Sequence, residues 1–400
     1  MYLYFCGGST GYVNIVMQSD TKDLVLQGNN LRSQRQYEQA LACYAQAFVE
    51  NRANSAAWNN YGNVLREIGH PDQAIPFLEM ALRLDPNSSV AAFNLAVCFL
   101  LLGDYKRGWA QYESRWNYEH LAGTLPKFTQ PRWTGQDLRD KTILVVGEQG
   151  HGDNIQFSRF IWHLHQAGAR IKFQVTLGLI PVFQSSDIIE MVTTYDQDPG
   201  DFDYWVPIMS IPGILGVTLE NLPRTVCYLN AQKNLQDEWV RRLGPKHRMR
   251  VGFSWSGRRD TWLNTHKGMP ISEMQDLIQR CPQYEWINLQ ADATPEETAQ
   301  LEELGVRLFP GTITGFHDTA ALMANLDVII SVDTAVAHLS GALGRPTFVM
   351  LQKFALDWRW LLNRNDSPWY STAKLFRQKD YDDWRSVTRS VEKFLTFFKI

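Results

Sequence analysis

Residues 327–352 read DVIISVDTAVAHLSGALGRPTFVMLQ, and their pattern decides the fold. The β-branched run Val328–Ile330 has the make-up of a strand buried on both faces. From Ala335 to Leu343, small and apolar residues recur at helical spacing. The stretch therefore predicts a strand, a short loop and a helix that opens at Thr334 and carries His338 one turn on, along the same face. Unpaired N–H groups and the positive dipole end at such a helix start favour an anion, so the segment offers a seat for a phosphate. A plainer reading has Asp333 and Thr334 capping the helix and His338 as a satisfied core histidine.

Working outward, the same alternation recurs on both sides. Upstream, strands are predicted near 142–147, 171–176 and 202–206, with helical stretches near 153–168 and 231–243. After a linker, Leu243–Met249, a second series has strands near 250–255, 284–289, 306–309, 327–331 and 346–351. This is α/β patterning, and it implies two Rossmann-like halves, 141–245 and 246–400. The last helix, Val387 to Phe398, carries an apolar stripe at Val391, Phe394, Leu395 and Phe398 that could dock back across the linker.

The N-terminal part obeys a different period. Aligning 21–54, 55–88 and 89–122 gives a repeat of 34 residues: Leu24, Trp58 and Ala92 correspond, as do Gly28, Gly62 and Ala96. Ala40, Ala74 and Gly108 fall in register, followed by Tyr44, Leu78 and Tyr112, with Pro86 closing the middle unit. This pattern resembles the tetratricopeptide repeat, in which small residues let paired helices approach and large ones fill the groove between them. Three units are expected over 21–122, the third packing against the α/β region, because three is near the minimum for a stack. Residues 1–20 are expected to be a poorly ordered leader and 123–140, with Gly123, Pro126, Pro131 and Gly135, a linker. The fold class is thus α + α/β: helical repeats, then two Rossmann-like domains.

Composition narrows the functions. With 400 residues, 44% hydrophobic and 20% charged, the chain is ordinary globular protein with room for two or three domains. A formal net charge of -3 without a long basic run argues against nucleic acid as a partner. Cys6, Cys43, Cys98, Cys227 and Cys281 are scattered and never form a C-x-x-C pair, which fits a reducing compartment. The first residues lack a basic start and an adequate apolar core for a signal peptide, so a cytoplasmic location is expected. Val90 to Leu102, the longest apolar stretch, contains Asn94 and is too short to span a bilayer, so no integral membrane segment is expected.

Ligands of open parallel sheets sit beyond the carboxyl ends of the strands, so polar residues there are the site candidates. After the first strand, Gly147-Glu-Gln-Gly150-His151-Gly152-Asp153 allows close backbone approach to a ligand; Asp153 is either a helix cap or a general base. The loop is no G-x-G-x-x-G fingerprint, which argues against an NAD-dependent enzyme. The second half opens with Ser254 at a strand end, then Arg258, Arg259, His266 and Lys267 ahead of Pro270, cations able to reach a phosphate or merely to be solvated. Gln290 ends the next strand. Asp201-Phe-Asp203 has the spacing of a metal-binding Asp-x-Asp but precedes a strand and reads better as a turn, so no metal ligand is assigned. Trp358, Trp360, Trp369 and Tyr370 read mainly as packing, with stacking on a base or sugar as the other use.

Over residues 141–380 these positions together resemble the heptosyltransferase-like glycosyltransferases, a family with two facing Rossmann domains, the GT-B fold. The segment SVDTAVAHLSGALGRP, 331–346, matches that family's Asp-Thr-x-x-x-His block. The resemblance implies that Asp333, Thr334, Ala335 and His338 surround the diphosphate and sugar of a donor, with Ala335 standing where the family usually has glycine. It likewise implies that Lys267 binds phosphate and that Asp153 is the base, with Ser254 and Gln290 on the donor side and Gly150, His151 and Gly152 toward the acceptor. With the repeats in front, and with GWAQYESRW (108–116) and FALDWRWLLNRNDSPWY (354–370), the chain looks like a bacterial group of repeat-bearing glycosyltransferases. Its architecture is similar by analogy to that of protein O-GlcNAc transferases. The expected activity is transfer of a sugar from a nucleotide-diphosphate donor, as co-substrate, to a hydroxyl, inverting and without metal or bound cofactor. In this reading the repeats recruit a protein acceptor or partner. The competing reading is a non-catalytic adaptor built on a degenerate transferase fold.

Overall fold

The computed structural model describes residues 21–118, 121, 123–223, 226–257, 267–354 and 356–398. The expected leader 1–20 and the loop cations Arg258, Arg259 and His266 lie outside the described residues.

The described part begins with six helices in three antiparallel pairs: α1 (Thr21–Ser33) with α2 (Tyr37–Glu50), α3 (Ser55–Glu67) with α4 (Pro71–Leu84), and α5 (Ser89–Leu101) with α6 (Tyr105–Tyr112). The starts of α1, α3 and α5 reproduce the 34-residue period. Its small residues act as expected: a Cβ on Gly62 would meet Leu78 Cγ at 2.8 Å, so only glycine lets α3 and α4 close to this distance. Asn54, Ser88 and Asp104 each accept a first-turn N–H and fix the starts of α3, α5 and α6. The third pair does pack on the α/β region: Val97, Leu100, Tyr105, Trp109 and Tyr112 belong to the same apolar core as Ile143, Phe157, Trp358 and Trp369.

The first α/β half contains β1 (Thr142–Val146), α7 (His151–Phe157), α8 (Ile161–Gln166), β2 (Arg170–Gln174), α9 (Ile180–Phe183), β3 (Met191–Thr193), β4 (Tyr204–Pro207), α10 (Ile211–Ile214) and α11 (Lys233–Leu243). Its sheet is parallel in the order β3-β2-β1-β4. The second half contains β5 (Arg250–Ser254), α12 (Ile271–Arg280), β6 (Glu285–Asn288), α13 (Pro295–Glu303), α14 (Phe316–Met323), β7 (Val328–Val332), α15 (Ala335–Ala342), β8 (Thr347–Leu351), β9 (Ala373–Arg377) and α16 (Trp384–Phe397). Its sheet is parallel in the order β6-β5-β7-β8-β9. Every residue of β7 is buried, as a central strand covered on both faces requires. Two parallel Rossmann-type sheets in sequence make this region GT-B-like.

The structure departs from the sequence reading at definite places. Residues 306–309 form no strand; Arg307 makes a single bridge to Ile287. β3 and β9 were not foreseen: β3 has three residues, and β9 follows an aromatic stretch that masks it. The helix expected over 153–168 starts at His151 and breaks into a 3₁₀ turn at Ser158–Phe160. Among the described residues the last helix belongs to the core of the second half. It packs on α12 and β9, with Val391 and Leu395 buried and Arg280 bonded to Glu392 at 2.6 Å. The polar stretch around residue 130 runs along β4, where the Trp133 N–H donates to Trp205 O at 2.8 Å.

Candidate functional site

In each sheet the strand order reverses beside the first strand of the half, which is where open α/β sheets place ligands. In the first half this point lies between β1 and β4, and the glycine loop 147–152 leaves β1 there. In the second it lies between β5 and β7, whose paired residues Ser254 and Ser331 bring the loops at 255–257 and 333–334 side by side. The two points face each other across a cavity of about 460 Å³. Asp153, Lys267, Asp333, Thr334, Ala335, His338, Ser254, Gln290, Gly150, His151 and Gly152 all line it, so the residues picked from separate strand ends are brought together.

Asp153 is the third residue of α7 rather than its cap, and its Oδ2 accepts the Gly150 N–H at 2.8 Å. Its Oδ1 pairs with Arg359 Nη2 from the other half. Lys267 Nζ donates to Asp333 Oδ2 at 2.7 Å and to Asp357 Oδ2 at 3.2 Å. Burial opposes the lysine charge, but the two aspartates outweigh it and hold the ammonium above its ordinary pKa. Asp357 shows the reverse balance: burial raises it, while Arg359 and Lys267 bring it well below the carboxylate range. Asp333 does not cap α15; its Oδ1 accepts from Trp360 Nε1 at 2.8 Å. Thr334 occupies the cap position without a side-chain cap, its Oγ1 lying 3.1 Å from Ser331 Oγ.

His338 is buried, with Nδ1 2.9 Å from the Tyr370 hydroxyl and its ring stacked on Trp360. Burial pushes its pKa down to about 4 against the pull of Asp333, so the imidazole is neutral at ordinary pH. Gln290 Oε1 accepts from Ser254 Oγ at 2.7 Å and from the N–H groups of Trp255 and Ser256, so this pair shapes the loop after β5. His151 meets the edge of Phe316 across the cavity. The aspartate pair at 201–203 lies elsewhere: Asp203 Oδ2 accepts the Thr142 N–H at 2.8 Å at the start of β1, the opposite end of the sheet.

Sequence reading missed Asp357 and Arg359, which line the cavity. The signal was an alternation of charged and aromatic residues in LDWRW, 356–360. The tryptophans there pack as expected: Trp358, Trp360 and Trp369 are all buried. Together Asp153, Arg359, Asp357, Lys267 and Asp333 form one continuous ion network across both halves. Its two cations are matched by three carboxylates.

Comparison with known proteins gives matches to two families. The tetratricopeptide-repeat family model matches residues 25–89, and that of glycosyltransferase family 9 (heptosyltransferase) matches residues 289–350. Protein FlbA of Caulobacter vibrioides is 27% identical over 435 residues, covering 92% of this chain and 71% of that protein. Among solved structures, the ADP-heptose LPS heptosyltransferase II of E. coli is 13% identical, with a TM-score of 0.47 over 64% of this chain and 98% of that one. A family 9 glycosyl transferase from Veillonella parvula is also 13% identical, with a TM-score of 0.47 over 65% of this chain and 92% of that one. The chain thus carries a tetratricopeptide-repeat match over residues 25–89 and a glycosyltransferase family 9 (heptosyltransferase) match over residues 289–350, on a GT-B-like pair of sheets.

Proposed function

We propose that the protein transfers a sugar from a nucleotide-diphosphate donor to a hydroxyl acceptor in the cavity between its two halves. One observation carries this: Asp153 from one sheet, and Lys267 with the α15 N-terminus from the other, converge on a single cavity at both strand-order reversals. The acceptor hydroxyl gives its proton to Asp153 as its oxygen bonds to the anomeric carbon. The bond from that carbon to the diphosphate breaks, and the charge left on the diphosphate falls to the N–H groups at 334–336 and to Lys267. A single displacement inverts the anomeric centre. Fixed cation and helix dipole serve here without a metal, and the nucleotide sugar is a co-substrate rather than a resident cofactor. Ser254 and Gln290 shape the donor side, and Gly150, His151 and Gly152 form the floor toward the acceptor. The repeats recruit a protein acceptor or partner, and the cytoplasm is where such donors and the unpaired thiols would coexist.

Thermal stability measured against ADP-, UDP-, GDP-, CMP- and dTDP-sugars tests this reading, since a ligand at 100 times its dissociation constant adds about 2.7 kcal/mol. A selective shift, followed by transfer with inversion seen by NMR, is the expected result. A flat panel at high concentration would turn the reading toward an adaptor.

A further inference from the structure

We propose that Arg359 is a positioning residue for Asp153, and that the third repeat holds Arg359 in place; this rests on Asp153 being the base. Every nitrogen of the Arg359 guanidinium is engaged: Nε donates to Gln156 Oε1 at 2.7 Å, Nη1 to Asp357 Oδ1 at 2.9 Å, and Nη2 pairs with Asp153. Its side chain is only 7% exposed. Asp153 and Gln156 sit three residues apart on one face of α7, so a single planar fork from the opposite half reads both. With Oδ2 tied to the Gly150 N–H and Oδ1 to Arg359, the Asp153 carboxylate has one orientation, and each oxygen keeps a lone pair for an incoming hydroxyl. The Gln156 side chain serves this contact alone: it is fully buried, and among the described residues its Nε2 finds no partner.

Part of the support of Arg359 comes from outside the transferase halves, beside Phe157 and Trp369 within them. The guanidinium lies 4.4 Å from the Trp358 ring centroid. That ring packs edge-on against Trp109 of α6 at 5.4 Å and Tyr105 at 6.3 Å. The segment thus presents Trp358 to the repeats and Asp357 and Arg359 to the cavity. A repeat that packs against this strap fixes the fork, and the fork fixes the carboxylate. The repeats are in this way part of the site's framework, in addition to any recruiting role.

The experiment uses the full chain and whichever of the five nucleotide sugars gives a stability shift. Arg359→Lys keeps the charge but cannot bond three acceptors in a plane. It is expected to lower kcat about 10- to 100-fold, the cost of a small misplacement of a reacting group. KM for the donor should stay within about threefold, because the fork does not hold the donor. Gln156→Met, which removes the acceptor of Arg359 Nε without changing charge, is expected to lower kcat in the same way but less, and Trp358→Leu to reproduce the effect from the repeat side. Should Arg359→Lys fail to fold, Gln156→Met decides. Unchanged kcat in folded Arg359→Lys or in Gln156→Met, alongside loss of transfer in Asp153→Asn, overturns this proposal and leaves the base assignment standing. Full transfer by Asp153→Asn would instead overturn the base assignment itself.

Discussion

Gly152 of the first half lies directly against His338 of the second: a Cβ placed on Gly152 would come within 2.8 Å of His338 Cδ2. The ring cannot yield, because Trp360 stacks on it and Tyr370 holds Nδ1. This approach is how α7 and α15, and with them the two sheets, come together over the cavity. Gly152→Ala is therefore expected to push the helices apart, costing about 1–3 kcal/mol as an overpacked contact. Transfer should fall more than stability does. Gly150→Ala, whose added carbon would meet only Asp153 Oδ2 at 3.1 Å, is the control and should be milder. Chemical denaturation of both variants with a transfer assay checks the order.

Lys267 is shared by two buried carboxylates, and that sharing sets the result of removing it. Lys267→Met leaves Asp333 without a cation and Asp357 with Arg359 alone, and is expected to cost about 3–5 kcal/mol, the range for breaking a buried pair. Adding Asp357→Asn should restore part of that stability, since one carboxylate fewer then faces the single remaining cation, Arg359. Donor-induced stabilisation should stay lost in both, because the cation proposed to meet the donor's phosphate is missing in both. Recovery of the donor shift in the double variant would place Lys267 in a structural role alone.

The sequence carried the fold through two periodicities that survive into three dimensions. The 34-residue repeat sets helix starts at Thr21, Ser55 and Ser89, and the apolar run at 328–332 became the central strand of its sheet. Short or atypical elements escaped: β3 has three residues with an exposed Met191, and the apolar residues at 306–309 joined the sheet by one bridge only. Site candidates were legible because ligands of parallel sheets gather at strand ends, a rule that needs only strand positions. Asp357 and Arg359 were not, because they reach the cavity from a strap outside the sheets. Their partners Lys267 and Asp153 are respectively 90 and 206 residues away in sequence. Nothing local announces pairs of that separation.

His338 makes stability depend on acidity. Its folded pKa, near 4, lies below the ordinary value of 6.5, so between these values the unfolded chain takes up a proton that the folded chain refuses. The contribution is complete above about pH 6.5 and is lost as pH falls toward 4. The loss at the acid end amounts to about 3 kcal/mol. His338→Gln, which cannot titrate, should flatten this part of the profile. Denaturant midpoints measured from pH 7 down to pH 4 test the difference, and an NMR titration showing His338 protonated near pH 6.5 would contradict it.

Trp109 and Trp58 both belong to the repeats but support different parts of the molecule. Trp58 is half-buried and stacks on Phe48, with ring centroids 4.1 Å apart, inside the repeats. Trp109 is buried, donates to Val217 O at 2.9 Å and packs on Phe157, Trp358 and Trp369, so it touches both halves of the transferase at once. Trp109→Ala is expected to cost about 3–5 kcal/mol, as for other large core truncations. It should also reduce transfer, because Trp358 loses its backing. Trp58→Ala removes a ring pair worth about 1 kcal/mol and should leave transfer by the catalytic halves intact on a small acceptor. Thermal unfolding followed at the tryptophans, with transfer measured on the same samples, separates the two. Equal loss of activity in both would mean that the first repeats, and not only the third, brace the site.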